Sequence, residues 1–179
     1  MTEQAIDVLA RTVWGEARGC GYAGMSHVAM VVMNRVNHPR WWGHDVVSVC
    51  QAPYQFSCWL RSDPNRSKLL AVTDSDPVFN QALNIAVAAV AGTLQDVTDG
   101  ADSYYAISMA SPPSWTERAT KTFADNWHAF YRVELPMVGT STPGVPDGDP
   151  NAPTTSAQGR PPPADTADQL DDLYNPPGV

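Results

Sequence analysis

The chain changes character near residue 139, and that change bounds what can fold. All six tryptophans and all three cysteines lie before it, and nine of the sixteen prolines lie after it. Residues 140–179 hold six aspartates against one basic residue, Arg160, so this stretch carries −5 of the chain's net charge of −8. Its apolar side chains are too few to offset the entropy of ordering its backbone. The expectation is a compact domain over 1–139 followed by an extended Pro/Asp-rich tail over 140–179. Within the tail, residues 165–174 place Leu170, Leu173 and Tyr174 at i, i+3 and i+4. That spacing reads either as chance apolar residues in a solvated tail or as a short helix that docks onto a partner.

The 179 residues suffice for one domain with one core. The sequence pI of about 4.7 argues against duplex nucleic acid, which demands a basic face. The longest apolar run, Ile85–Ala91, is too short to span a bilayer, so no membrane insertion is expected. Met1 is followed by a polar turn with no basic n-region and apolar h-region, which predicts synthesis in a host cytoplasm without a signal peptide. Three cysteines (Cys20, Cys50, Cys58) cannot all pair within one chain. The four histidines lack zinc spacing and no glycine-rich loop follows a predicted strand. No metal or organic cofactor is expected.

Hydrophobic periodicity predicts a mainly α fold with a small antiparallel sheet (α+β). Ile6, Leu9, Ala10, Val13 and Ala17 recur at helical spacing over about residues 3–18, and Val28, Val31, Val32 and Val36 define a second helix over Ser26–Val36. Asp76-Pro77 has the form of an N-cap followed by proline at the first helical position, opening a helix to about Leu94. Ser114-Trp115-Thr116-Glu117 has the pattern of a capping box. Alternation through His128–Leu135 predicts a strand, which Ser103–Ala106 could join.

Among the carboxylates, Glu16 is the most informative. It follows Leu9 by seven residues, at the margin of the apolar stripe, framed by Trp14, Ala17, Gly15 and Gly19. The glycines point to a wall that a ligand approaches closely, and desolvation there would raise the carboxyl pKa, as a general acid requires. The competing reading is a helix-end glutamate paired with Arg18 or Arg35. Asp45, Asp63, Asp99 and Asp102 read as ordinary solvated loop residues. Aromatic residues crowd the loops (Trp41, Trp42, Tyr54, Phe56, Trp59, Tyr104, Tyr105, Trp115, Trp127), where ring faces can stack on sugars. Cys20 with His128 is formally compatible with a cysteine peptidase, but nothing local marks Cys20 as a nucleophile.

The string Ala10-Arg11-Thr12-Val13-Trp14-Gly15-Glu16-Ala17-Arg18-Gly19 resembles the opening motif of the SleB-type cell-wall hydrolases, the spore-cortex-lytic enzyme family. The resemblance continues in order through Val32-Met33-Asn34-Arg35-Val36, Val49-Cys50, Gln55-Phe56-Ser57-Cys58-Trp59, Tyr104-Tyr105, Pro112-Pro113-Ser114-Trp115 and His128-Ala129-Phe130-Tyr131. It implies a lysozyme-like fold and cleavage of peptidoglycan glycan strands between N-acetylmuramic acid and N-acetylglucosamine, with Glu16 as catalytic acid. Gln55, Phe56, Ser57, Tyr104, Tyr105, Trp115 and His128 are the expected substrate contacts. Both a lytic transglycosylase, slightly preferred, and a hydrolytic muramidase fit. The alternatives are a non-catalytic glycan-binding or virion structural protein and a cell-wall amidase or peptidase. A bacteriophage setting is expected, with the enzyme released at lysis or carried in the virion and the tail fastened to phage structural proteins.

Overall fold

The computed structural model describes residues 2–133. The boundary at 139, the tail over 140–179 and its 165–174 segment lie outside them. Leu9, Val13 and Ala17 wind along one face of helix α1 (Thr2–Ala17) and are buried between α2 (Gly21–Asn37) and α5 (Pro77–Val90). Val28, Val31 and Val32 enter the same core from α2, and Phe79, Ala82, Ile85, Ala86 and Ala89 from α5. Two short helices, α3 (Val46–Cys50) and α4 (Arg66–Ala71), fill the sequence between them.

Asp76 caps α5 as the sequence predicts: its carboxylate accepts from the backbone N–H groups of Val78 and Phe79, at 2.9 and 2.8 Å. That helix stops at Val90 rather than near Leu94. Gly92 adopts a left-handed φ of 70°, and the amides of Thr93 and Leu94 turn back to the Ala88 carbonyl. The second helix begins five residues before Ser26. A 3₁₀ turn over Arg18–Cys20 and the left-handed Gly21 (φ 66°) redirect the chain sharply from α1 into α2.

The sheet has three antiparallel strands, not two. β1 (Ser103–Ala106) and β2 (Ala119–Ala124) flank β3 (His128–Val133) in the order β1-β3-β2. β2 has no signature in the sequence because ATKTFA carries no apolar alternation, and a register shift between Lys121 and Phe123 interrupts it further. The alternation expected of β3 is also corrected. His128, Ala129, Phe130 and Tyr131 are all buried, because a central strand is covered on both faces. The short helix expected to be capped by Ser114 is a 3₁₀ turn over Ser114–Arg118, with Pro113 at the cap position and Ser114 as its first residue.

Buried polar clamps fix the sheet against the helices. Asn34 of α2 donates to Asp96 Oδ2 and to the Ala101 carbonyl, both at 3.0 Å, and Arg35 Nε donates to the Asp102 carbonyl at 2.6 Å. Asp102 is accordingly buried, correcting its reading as a solvated loop residue. Its Oδ1 accepts from the Val133 amide and the Ser103 hydroxyl. No helix among the described residues is long and apolar enough to cross a membrane.

Candidate active site

Glu16 is the penultimate residue of α1, half-buried where that helix meets the sheet and the loop before α4. Three groups from distant parts of the chain converge on it. The Cys58 backbone N–H donates to Oε1 at 3.3 Å, the Tyr104 hydroxyl donates to Oε2 at 3.2 Å, and the Cys58 thiol also bonds to the carboxylate. Burial raises the Glu16 pKa above the ordinary carboxylate range, while the bonds from Cys58 and Tyr104 oppose that shift and the charge of Asp63 adds to it. The C-terminal end of a helix also disfavours a carboxylate. The arginines of the competing reading are engaged in other contacts. Arg18 donates to the Gly15 carbonyl and lies 4.7 Å from the Trp14 ring centroid. Arg35 reaches Asp102, Gln55 and the rings of Trp42 and Phe56.

The glycine beside Glu16 serves a different purpose from the one expected. A Cβ on Gly15 would sit 2.7 Å from Cys58 Cβ and 2.9 Å from its Sγ, so it is the Cys58 turn, not a ligand, that comes close here. Only a glycine lets the 3₁₀ turn over Ser57–Trp59 press against α1. The Trp59 indole N–H completes the attachment by donating to Thr12 Oγ1 at 2.9 Å. Around Gly19 there is open space instead.

The expected substrate contacts divide into three groups. Tyr104 joins Glu16 directly, and Ser57 is half-buried on the turn next to Cys58. Gln55, Phe56 and His128 are buried, which corrects their reading as surfaces for a glycan. Gln55 Oε1 accepts from Arg35 at 3.2 Å, and Phe56 is fully enclosed beneath the same guanidinium. His128 lies edge-on to the Tyr104 ring with centroids 5.1 Å apart, and burial lowers its pKa. Tyr105 and Trp115 lie away from Glu16: neighbours along a strand face opposite ways, and Tyr105 packs with Trp115 and Tyr131 on the other side of the sheet.

Sequence reasoning missed two contributors, Cys58 and Asp125. Cys58 stands within Gln55-Phe56-Ser57-Cys58-Trp59, and Gly15, a helix glycine directly before the candidate acid, is the signal of its close approach. Asp125 ties down the β2–β3 turn by accepting from the amides of Trp127 and His128 and pairing with His27 Nδ1 at 2.8 Å. The cysteines do not resemble activated nucleophiles. Burial raises the pKa of all three thiols, that of Cys50 to about 12, and the charge of Asp125 raises Cys20 further.

What the arrangement can do is favour the protonated form of Glu16 and then hold the carboxylate left behind through donors from Cys58 and Tyr104. Comparison with known proteins finds that the family described as Cell Wall Hydrolase matches residues 19–131, a span beginning three residues after Glu16. The crystal structure of the catalytic domain of the Bacillus cereus SleB protein is similar in fold. Its TM-score is 0.57 at 24% identity, over 73% of this chain and 91% of that one. The catalytic domain of the germination-specific lytic transglycosylase SleB from Bacillus anthracis has a TM-score of 0.56 at 24% identity, over 72% and 93%. No curated protein matches the chain.

Proposed function

The chain belongs to the cell wall hydrolase family, and within it we propose that this protein cleaves the glycan strand of peptidoglycan between N-acetylmuramic acid and N-acetylglucosamine, with Glu16 as the acid. The observation that carries the reading is the half-buried Glu16 carboxyl, its pKa raised, facing two donors supplied by Cys58 and Tyr104. Glu16 gives its proton to the glycosidic oxygen, the glucosamine unit leaves with a free 4-hydroxyl, and positive charge develops at C1 of the muramic sugar. The resulting carboxylate, held by the Cys58 amide and the Tyr104 hydroxyl, then takes the proton of the muramic 6-hydroxyl. That oxygen attacks C1, giving a 1,6-anhydro end.

We favour this transglycosylase route over hydrolysis because of what Asp63 does. Its charge reaches Glu16, yet its Oδ1 accepts from the Asn65 amide at 2.7 Å, the role of a turn residue. Hydrolysis would ask a second carboxylate to hold water or act as nucleophile. Mass spectrometry of digested peptidoglycan separates the routes: anhydro-muramic ends support transglycosylation, reducing muramic ends a muramidase, and free peptides an amidase or peptidase. Asp63→Asn should leave the rate within a few-fold, and a loss as large as that of Glu16→Gln would favour hydrolysis. The SleB relative from Bacillus anthracis, described as a lytic transglycosylase, is consistent with the same preference. A glycan-binding or virion structural protein without activity is the rival, and it predicts no loss of turbidity when wild type meets purified walls. The phage setting, and attachment of residues 140–179 to phage structural proteins, belong to this proposal and rest on the sequence alone.

A further inference from the structure

Helix α2 grips the sheet at two places from one face. His27 and Asn34 are seven residues apart, two turns of helix, so they project from the same side about 10 Å apart along the axis. Asn34 and its neighbour Arg35 hold the chain just before β1. His27 holds the opposite end of the sheet through Asp125, in the turn between β2 and β3. Its Nδ1 lies 2.8 Å from Asp125 Oδ2, with the two side chains 11% and 8% exposed. Against a carboxylate, which only accepts, that nitrogen is the donor. A buried pair of this kind is weak support for stability by itself. Its placement gives it another role.

The second oxygen of Asp125 organises the turn. Oδ1 accepts from the amides of Trp127 and His128 at 2.8 and 2.7 Å, and the Asp125 amide donates to the His128 carbonyl at 3.0 Å. Both backbone groups of His128 are thereby tied to Asp125, and through it to α2. Its imidazole is not. Nδ1 of His128 stays 3.8 Å from Asp125 Oδ1, and among the described residues it is the one buried side-chain polar atom without a hydrogen bond. The backbone, rather than this nitrogen, therefore sets where the ring stands. It stands edge-on to Tyr104 with centroids 5.1 Å apart, and Phe130 packs on the same tyrosine at 5.6 Å. Tyr104 carries the hydroxyl that donates to Glu16 Oε2.

We propose that Asp125, locked to α2 by His27, is a positioning residue for Glu16: it fixes His128 against the Tyr104 ring and so keeps the Tyr104 hydroxyl on the acid. The inference rests on the reading of Glu16 as the acid. Its distinctive consequence is that the effect of Asp125 runs through Tyr104 and disappears once the Tyr104 hydroxyl is gone.

A double-mutant cycle on the full chain tests this, read as kcat on soluble peptidoglycan strands. Asp125→Ala and Tyr104→Phe should each lower kcat about tenfold, and the double variant should fall no further than Tyr104→Phe alone. Losses that multiply to about a hundredfold would make Asp125 merely structural and overturn the proposal. Full kcat in a folded Asp125→Ala or Tyr104→Phe would overturn it too. The pH profile gives a second readout, since kcat falls as pH rises and Glu16 loses its proton. Burial raises the Glu16 pKa and the Tyr104 bond opposes that shift, so loss of the bond should move the fall to higher pH, equally in both single variants. An unmoved profile in Asp125→Ala counts against the proposal. Should Asp125→Ala not fold, His27→Leu replaces it in the cycle, because it leaves the bonds of Asp125 to the turn intact and keeps an apolar contact with Phe123 and Phe130. His27→Gln, whose amide can still donate to Asp125, should recover most of the rate, and no recovery also counts against it. Glu16→Gln is run alongside. Its loss of activity beside an additive cycle rejects this inference alone, whereas wild-type activity in Glu16→Gln rejects the catalytic reading as well.

Discussion

Glu16 has hydrogen-bond partners that sequence distance conceals, Cys58 and Tyr104. Glu16→Gln retains the shape and removes the transferable proton, so the lysis rate of purified walls should fall about 10²–10⁴-fold with folding intact. Near wild-type lysis by a folded variant would remove Glu16 from the mechanism. The raised pKa also has a sign for stability. A carboxyl whose folded pKa lies above its unfolded value favours the native state while both states are protonated. That contribution is lost as pH climbs from the unfolded value through the folded one. Glutamine does not titrate there, so the stability of Glu16→Gln relative to wild type should increase over that pH interval, read by denaturant melts at several pH values. A flat difference would argue that Glu16 titrates like an exposed glutamate. Gly15→Ala tests the neighbour: a Cβ at 2.7 Å from Cys58 must push the turn off α1. Overpacking of this kind costs about 1–3 kcal/mol. The Cys58 amide would leave Glu16 with it, so lysis should drop roughly tenfold, the worth of one hydrogen bond of about 1.4 kcal/mol.

Elements place these residues by caps and clamps as much as by hydrophobic burial. α5 supplies a broad apolar face to α1, and its start is set by two bonds to Asp76. Asp76→Ala should lower stability by about 1 kcal/mol in chemical denaturation, with kcat of wall lysis unchanged because α5 is remote from Glu16 along the chain and supplies none of its partners. An activity loss without a stability loss would mean that α5 positions the site in a way the cap does not explain. α2 acts from the other side. Through Asn34 and Arg35 it grips the Ala101 and Asp102 carbonyls, just before β1, and so sets where Tyr104 emerges. His128 on β3 then braces the Tyr104 ring edge-on. Gln55, Phe56 and His128 were therefore legible as residues near the site, but their burial makes them supports of the loop and strand that carry the donors.

For the molecule as a whole, the proposed division into domain and tail makes residues 1–139 the catalytic unit. A chain ended after residue 139 should lyse purified walls at the full-length rate, measured by turbidity, and should no longer copurify with phage particles. Reduced lysis would place residues 140–179 in substrate handling, and copurification without them would remove their role as an anchor. What the sequence determined by itself was local: the amphipathic helices, the Asp76-Pro77 start and a strand beginning at His128. Helical periodicity, capping and turn chemistry act within a few residues and are therefore written in short strings. The partners of Glu16 lie 42 and 88 residues away, and no periodicity records which loop will press on which helix. Only the tertiary structure decided that Tyr104 faces the acid while Tyr105 faces Trp115 on the far side of the sheet. The physical reason is the pleat: adjacent residues must point to opposite faces, and which face meets Glu16 is set by contacts between residues far apart in the chain.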